Sequence, residues 1–552
     1  MPRASVRFIL SCPLFVCMPL MASGADAPSQ APAYPLYAIA SGNVNPTPED
    51  IEILARSFTL VQANFTSPVV QALHRVNPDF KVVKYANSTY TQTPEDAVRA
   101  EREYRKSLSM FRAALLSDPM TGESQEFGLR PVEQGNPIPL KASTIGGAVS
   151  SDGKEQPSTR RYVTWIRIGD ELMRIEAFDA ATGRIRVTRG FDGSSAAAHA
   201  ANDPVFSPIY LGSVNDTGAY PGGPGRSLRY SFDPANPAGA QWCVERAVDF
   251  MTNGFDGVWL DICSASPFNM AGADGKRAVP WDFRTGKPYD RDAFREGQEI
   301  KIDAIQKAVH EKFGRWPILI ANNMKARTFE PGDGGEKLLL APTKIKPRPL
   351  EGYCIEDFVG GFAPRAANRR KDKGPAYHPV DKWRENVIML MKCAQGKLAA
   401  YPMIANAGIK SLMLEDLGVI RDQFEMFAYA SYLIGIEKDS PTRLGLPAFY
   451  REGERRFARL HPRYTWPIGA PAQTVAPDQI DRYRPEGHVS YVRRFENGVA
   501  LVNPDDKDDA ELRLDAPYKD PETGEEIAAV QIKAHTGRIL LRSQTNAGAA
   551  LR

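Results

Sequence analysis

Between Leu36 and Ala86 the chain alternates apolar strands with amphipathic helices, and this rhythm restricts its fold more than any other feature. Leu36-Tyr-Ala-Ile-Ala40 reads as a strand. Thr47-Pro-Glu-Asp50 then opens a helix to about Arg56, with Thr as N-cap and Pro at the first helical position. Phe58 to Ala63 is a second strand ending at Asn64, Pro68 to Val76 a short helix, and Phe80 to Ala86 a third strand ending at Asn87. Strand, helix, strand, helix, strand within about fifty residues implies parallel strands, since each helix returns the chain to the edge where the next strand begins.

The rhythm breaks between about Pro137 and Pro208, where no helical period is found. Tyr162 to Ile168, Leu172 to Glu176 and Arg184 to Thr188 alternate as short antiparallel strands around turn residues Gly169-Asp170 and Ala181-Thr-Gly183. This predicts a small β module inserted in a loop, similar in pattern to modules of phage tails, with His199 read as a structural side chain. The α/β rhythm resumes at Leu228 to Phe232. Strands ending near Ala40, Ala63, Ala86, Phe232, Ile262, Ala321, Glu356 and Ile404 make eight, with Ile436 a ninth candidate. Eight closes a (β/α)8 TIM barrel. A doubly wound open sheet is the alternative, but no Gly-rich phosphate loop follows the first strand. From about Thr474 the pattern turns to β again, with an Asn-Gly turn at Asn497-Gly498, predicting a C-terminal β-sandwich. The expected division is a signal peptide over 1–27, a barrel over 34–136 and 209–465, the β module over 137–208 and the sandwich over 474–543.

The N-terminus supports export. Arg3 and Arg7 precede the apolar run Phe8 to Met21, and Ala25-Asp-Ala27 fits a cleavage site, so the mature chain is expected to be secreted or periplasmic, cut after Ala27. The run is short and broken by prolines, which argues against a membrane anchor, and bulky Phe15 and Val16 before Cys17 argue against lipidation. With 69 Lys and Arg against 66 Asp and Glu, the net charge of +3 points to no nucleic acid. Cys243, Cys263, Cys354 and Cys393 are scattered without a C-x-x-C pair, so no metal site and no cofactor are expected.

Polar residues collect at the strand ends: Asn64, Asn87, Asp233, Asp261, Asn322, Asn323, Glu356, Asp357 and Asn406. Many would be polar in any α/β protein, and a lone Asp261 serves equally well as a turn cap. More pointed is the pair Asp261 and Glu356, each closing a short buried strand, because glycoside hydrolysis needs one carboxylic acid for the leaving oxygen and one carboxylate as nucleophile or base. Tyr37, Tyr85, Tyr230, Trp259, Tyr353 and Tyr401 suit sugar stacking, although each alone also suits core packing. Asp357 points to the opposite strand face from Glu356 and ranks second. Asp256, at a turn before Gly257, reads as structural. Lys344 to Arg348 and Arg369 to Lys373 are basic loops, solvated or facing an acidic polysaccharide. No G-x-S-x-G occurs, which disfavours an esterase or deacetylase.

On "GFDGVWLDICSAS", "ILIANN" and "EGYCIEDF", the chain resembles bacterial TIM-barrel glycoside hydrolases of the group called hypothetical glycosyl hydrolase family fifteen, and more distantly the endo-α-galactosaminidase type. The resemblance covers roughly residues 34 to 440. It implies a catalytic Asp after the fourth strand and a catalytic Glu after the sixth, which fall by motif on Asp261 and Glu356. By the strand count above, Asp261 follows the fifth, unless Leu228 to Phe232 is a lead-in and Ile436 ends the eighth strand. The expected function is an exported glycoside hydrolase acting on a polysaccharide or oligosaccharide, retaining or inverting. The alternative is a catalytically silent carbohydrate-binding or assembly protein on the same scaffold.

Overall fold

The computed structural model describes residues 32–40, 45–87, 108–140, 164–211, 231–261, 263, 270–271, 278–322, 340–356, 358–361, 376–403, 418–452 and 455–543. The expected signal peptide lies outside them. The frame is β1 (Leu36–Ala40), α1 (Pro48–Ser57), β2 (Leu60–Ala63), α2 (Ser67–Val76), β3 (Lys81–Asn87), α3 (Pro237–Thr252), β4 (Gly257–Asp261), α4 (Arg291–Phe313), β5 (Ile318–Asn322), β6 (Gly352–Ile355), α5 (Val380–Gln395), β7 (Ala400–Pro402), α6 (Gly418–Gly435) and β8 (Leu444–Pro447). Helix α1 begins where its capping box predicts: Thr47 Oγ1 accepts the Asp50 N–H, and the Asp50 carboxylate accepts the Thr47 N–H at 2.8 Å.

The strands form one eight-stranded sheet in chain order, each parallel to its neighbour. A parallel bridge between Met403 and Gly445 and the Arg443 N–H to Ala400 O bond at 3.0 Å join β7 to β8 and bring the sheet round as a barrel. The expected α/β barrel is therefore present. The strand count changes: Phe232 makes only an isolated bridge to Leu108, so β4, carrying Asp261, is fourth. Ile436 ends no strand either. Leu433 to Gly435 finish α6, and the eighth strand is Leu444–Pro447. A short apolar run does not distinguish a buried helix end from a strand.

Inside the barrel, large and small residues alternate. Tyr37, Trp259 and Tyr401 meet with ring centroids 5.4 to 5.8 Å apart. Gly445 and Gly352 leave room for them: a Cβ there would stand 2.2 Å from Tyr37 Cζ and 2.3 Å from Tyr401 Cε2. Below this layer, Asp256 ties the strand bases together. Its carboxylate accepts the Val82 N–H at 2.9 Å, and pairs with His74 and Arg315 at 2.9 Å each. Burial alone would raise this carboxyl, but those three partners hold it below the usual range.

The inserted unit is a closed antiparallel barrel of Met110–Leu116, Glu126–Arg130, Trp165–Ile168, Glu171–Asp179, Arg184–Thr188 and Pro204–Pro208. It starts well before residue 137, because Met110–Leu116, with burial on both sides of the strand, shows no period-two alternation. His199 belongs to its framework. It bonds Glu171 at 2.9 Å, beside a two-pronged Arg189 contact at 2.6 and 2.7 Å. Burial would raise Glu171, but Arg189, the Ala197 N–H and His199 bring it down to about 2.

The C-terminal unit is a single five-stranded antiparallel sheet among the described residues rather than a sandwich: Tyr491–Phe495, Gly498–Asn503, Glu511–Lys519, Glu526–Gln531 and Thr536–Arg542. Helix α6 supplies the cover that a second sheet would give. Ala500, Val502 and Ile539 share one core with Phe427 and Ala430 of that helix. Buried Arg493 donates through Nη1 to the carbonyls of Leu433 and Ile434 at 3.1 and 3.0 Å, closing the helix C-terminus. None of the four described cysteines is in a disulfide, and all four are buried.

Candidate active site

Side chains alternate faces along a strand, so residues two apart share a side. Val83, Trp259, Ile320, Cys354 and Tyr401 belong to the cluster that fills the barrel. Two residues further toward the C-terminal mouth come Tyr85, Asp261, Asn322, Glu356 and Met403. The register staggers them: Trp259 stands opposite Tyr85 and Ile320, Asp261 opposite Asn87, and Asn322 opposite Cys354, so the polar row climbs from Tyr85 to Glu356. Strand geometry thus delivers four polar side chains to one half of the mouth.

There they bond to one another. Asn322 Nδ2 donates to Asp261 Oδ1 at 3.0 Å and to Glu356 Oε2 at 3.1 Å. The Tyr85 hydroxyl donates to Asp261 Oδ2. Asp261 and Asn322 are buried, whereas Glu356 is partly exposed. Asn322 Oδ1 has no hydrogen-bond partner among the described residues. Because the two carboxylate oxygens share one donor nitrogen, they stand no farther apart than those two bonds end to end, about 6 Å.

The other expected contact residues divide. Asn64 follows β2 and is exposed. Asn87 is described for its backbone only, and Tyr230, Asn323, Asp357 and Asn406 lie outside the described residues. Tyr37, Trp259 and Tyr401 are 0, 0 and 3 % exposed, so they form the packed floor beneath the mouth and offer no stacking face to a sugar. Asp233 is also displaced from its expected place. It is buried, accepts the Tyr289 hydroxyl at 2.6 Å and the Ala235 N–H at 3.1 Å, and belongs to the seam with the insert. Burial, aided by Asp282, raises its carboxyl to about 6 against these donors.

That seam joins the insert to the barrel chain. The insert leaves from the end of β3 and returns before α3, and the segment after Asp261 reaches back to it. Trp281 and Phe283 pack on Phe206 at 5.8 and 5.1 Å, with Arg167 over Phe283 at 4.2 Å. Gln62 is a residue that sequence reasoning missed: two positions beyond Leu60, it lies on the inner face of β2 one residue before the strand ends and is buried. Leu60-Val-Gln62 held that signal. Among the described residues, no cluster of His, Cys, Asp and Glu fits a metal ion, and no helix is long and apolar enough to cross a membrane.

An eight-stranded barrel with two carboxylates sharing a donor at its C-terminal mouth has the form of a barrel enzyme site. No protein-family model matches the chain, and no curated protein matches its sequence. Among solved structures, the glycoside hydrolase domain of PelA from Pseudomonas aeruginosa is similar at 12% identity and TM-score 0.32, covering 76% of this chain and 96% of that one. A debranching enzyme from Nostoc punctiforme matches at 11% identity and TM-score 0.35, covering 93% and 99%. Pyruvate kinase from Cryptosporidium parvum matches at 10% and 0.30, covering 80% and 67%. Likenesses this remote assign no chemistry, which has to come from the site.

Proposed function

We propose that the chain is a glycoside hydrolase in which Asp261 is the nucleophile and Glu356 the general acid and base. The observation that carries this reading is the Asn322 amide shared between the two carboxylates at 3.0 and 3.1 Å. Retaining glycosidases hold their carboxyl groups about 5–5.5 Å apart, inverting ones about 6.5–9.5 Å, to admit a water. An upper bound of about 6 Å between the bonded oxygens favours the retaining arrangement.

Environment divides the roles. Asp261 is the deeper group, and the Tyr85 hydroxyl and Asn322 amide both offer it protons in hydrogen bonds, which suits an anionic nucleophile and orients it. Glu356 is the more exposed, as a group that exchanges protons with leaving group and water must be. In the first step Asp261 bonds to the anomeric carbon. The glycosidic C–O bond breaks as the Glu356 proton passes to the leaving oxygen. In the second step Glu356 takes a proton from water, the water oxygen bonds to the anomeric carbon, and Asp261 leaves as a carboxylate. A polysaccharide or oligosaccharide substrate and an exported enzyme belong to the same reading, the latter resting on the Arg3 to Ala27 pattern.

The test is a glycan screen followed by NMR of the first-formed anomer. Asp261→Ala and Glu356→Ala are each expected to lose at least about a thousandfold in rate, with azide restoring turnover of an activated aryl glycoside. If both variants release sugar as fast as the wild type, the assignment fails. An inverted first product rejects the retaining mechanism while leaving the pair in place.

A further inference from the structure

A cleft of about 440 Å³ lies apart from the carboxylate pair, in the seam where the C-terminal sheet meets α6. Its walls come from three places: Asp422 and Gln423 on α6, Arg463 and Trp466 on the connector after β8, and the sheet with its Asp520–Glu522 turn. The volume falls in the range of small-molecule sites, roughly 300–1,000 Å³.

The charges in this cleft cancel locally. Arg538 pairs with Asp520 at 2.7 Å, and Arg463 Nη2 stands 3.6 Å from both Asp422 Oδ1 and Glu522 Oε1. A polyanion or polycation would find no net field here. A purely apolar ligand would have to strip water from these ions without replacing it.

The cleft is also preorganised. The Arg463 side chain is 4% exposed, and its guanidinium is held by Asp422 O at 2.9 Å and His461 Nδ1 at 2.9 Å. Burial, with Arg463 and Arg459 adding to it, pushes His461 down to about 4, so a neutral imidazole accepts from the guanidinium at neutral pH. Beside this fixed fork, Trp466 lines the cleft and, partly buried, also packs against the main core. An aromatic side chain next to a fixed guanidinium, with carboxylate and amide groups around it, matches an uncharged ligand with apolar C–H faces and adjacent hydroxyls. Pyranose rings have that chemistry.

We propose that this cleft is a second carbohydrate-binding site, which holds a stretch of the glycan cleaved at the barrel mouth. The identity of that glycan rests on the glycosidase reading; the cleft's preference for an uncharged sugar does not. The probes are arrayed oligosaccharides and neutral polysaccharides, applied to the full chain carrying Asp261→Asn and Glu356→Gln, with the best polysaccharide carried into affinity electrophoresis. Trp466→Ala and, separately, Glu522→Ala with Lys533→Ala, two charged residues that line the cleft, are compared on that background. The second pair is exposed, at 48% and 68% of its side chains, so it keeps the test sound if Trp466→Ala does not fold. Both changes are expected to weaken retention about tenfold or more. In the otherwise wild-type chain they should leave hydrolysis of a short oligosaccharide within about twofold. Retention unchanged in the folded variants, no retention of any neutral glycan, or an equal loss on the short substrate overturns the proposal. A chain that holds glycan through this cleft but hydrolyses none keeps the second site and rejects the glycosidase reading.

Discussion

Replacing Asp256 by Ala tests the frame under the site without knowledge of the substrate. Val82 is fully buried, and its N–H would be left without an acceptor, costing about 1–3 kcal/mol. His74 and Arg315 are 28% and 48% exposed, so water replaces much of what they lose, and each adds only about 0.5 kcal/mol. The expected destabilisation is therefore about 2–4 kcal/mol, felt at β3 to β5, because the Asp256 backbone also bonds Val82 O and the Ile318 N–H. In a chain with several units a single melting point mixes transitions. Hydrogen exchange of peptides spanning 81–87 and 257–261 is the better assay, and exchange is expected to quicken by about 30- to 1,000-fold at pH 7. The folded carboxyl lies below its unfolded value of about 3.9, so its contribution is complete above that pH and is lost as pH falls through the folded value. The gap between wild type and variant should accordingly narrow below about pH 4. A gap under about 1 kcal/mol at pH 7, or one unchanged down to pH 2.5, refutes this account of the barrel base.

Three further outcomes follow from other parts of the structure. Asn322→Ala removes the donor shared by both carboxylates and should lower kcat by about a hundredfold or more with little change in KM; an unchanged kcat denies Asn322 a positioning role. Asp233→Asn keeps one oxygen for Tyr289 and Ala235 but removes a carboxyl raised to about 6. Wild-type stability falls as pH rises from about 4 to 6, so in urea titrations the variant should gain on wild type across that window, by about 3 kcal/mol, and hold the gain above it. Gly352→Ala drives a Cβ into the Tyr401 ring at 2.3 Å and should destabilise the barrel by about 1–3 kcal/mol, measured by its thermal transition.

Much of the frame was legible because its signals are local. Thr47, Pro48 and Asp50 announce α1 within one turn, and the pairs Trp259/Asp261, Ile320/Asn322 and Cys354/Glu356 state the inner face of β4, β5 and β6 by alternation alone. What escaped depends on distant partners. Leu444-Gly-Leu-Pro447 becomes a strand only because β1 and β7 flank it, and a short segment ending in Pro carries no strand signal of its own. Asp233 looks like a strand-end ligand, yet its partner Tyr289 lies more than fifty residues downstream, past the Asp261 strand. Tyr37 and Tyr401 share composition with a sugar platform; only closure of the sheet shows that they face each other and Trp259 in a filled interior.

The level of a residue within the barrel, more than its type, decides what it can do. One layer down from the mouth, the inner positions are aromatic on β1, β4 and β7, and they leave no space for a ligand. At the mouth the ring is lopsided. Ile39 of β1 and Met403 beside β7 are apolar, while Tyr85, Asp261 and Asn322 lie on the consecutive strands β3 to β5 and Glu356 directly follows β6. Polar residues on adjacent strands of one face can bond across the stagger between strands, and Asn322, between Asp261 and Glu356, reaches both. The inserted barrel follows β3 in the chain, and the 281–288 hairpin clasped to it follows β4, so both elaborations are spliced into the chain after strands that carry the polar row.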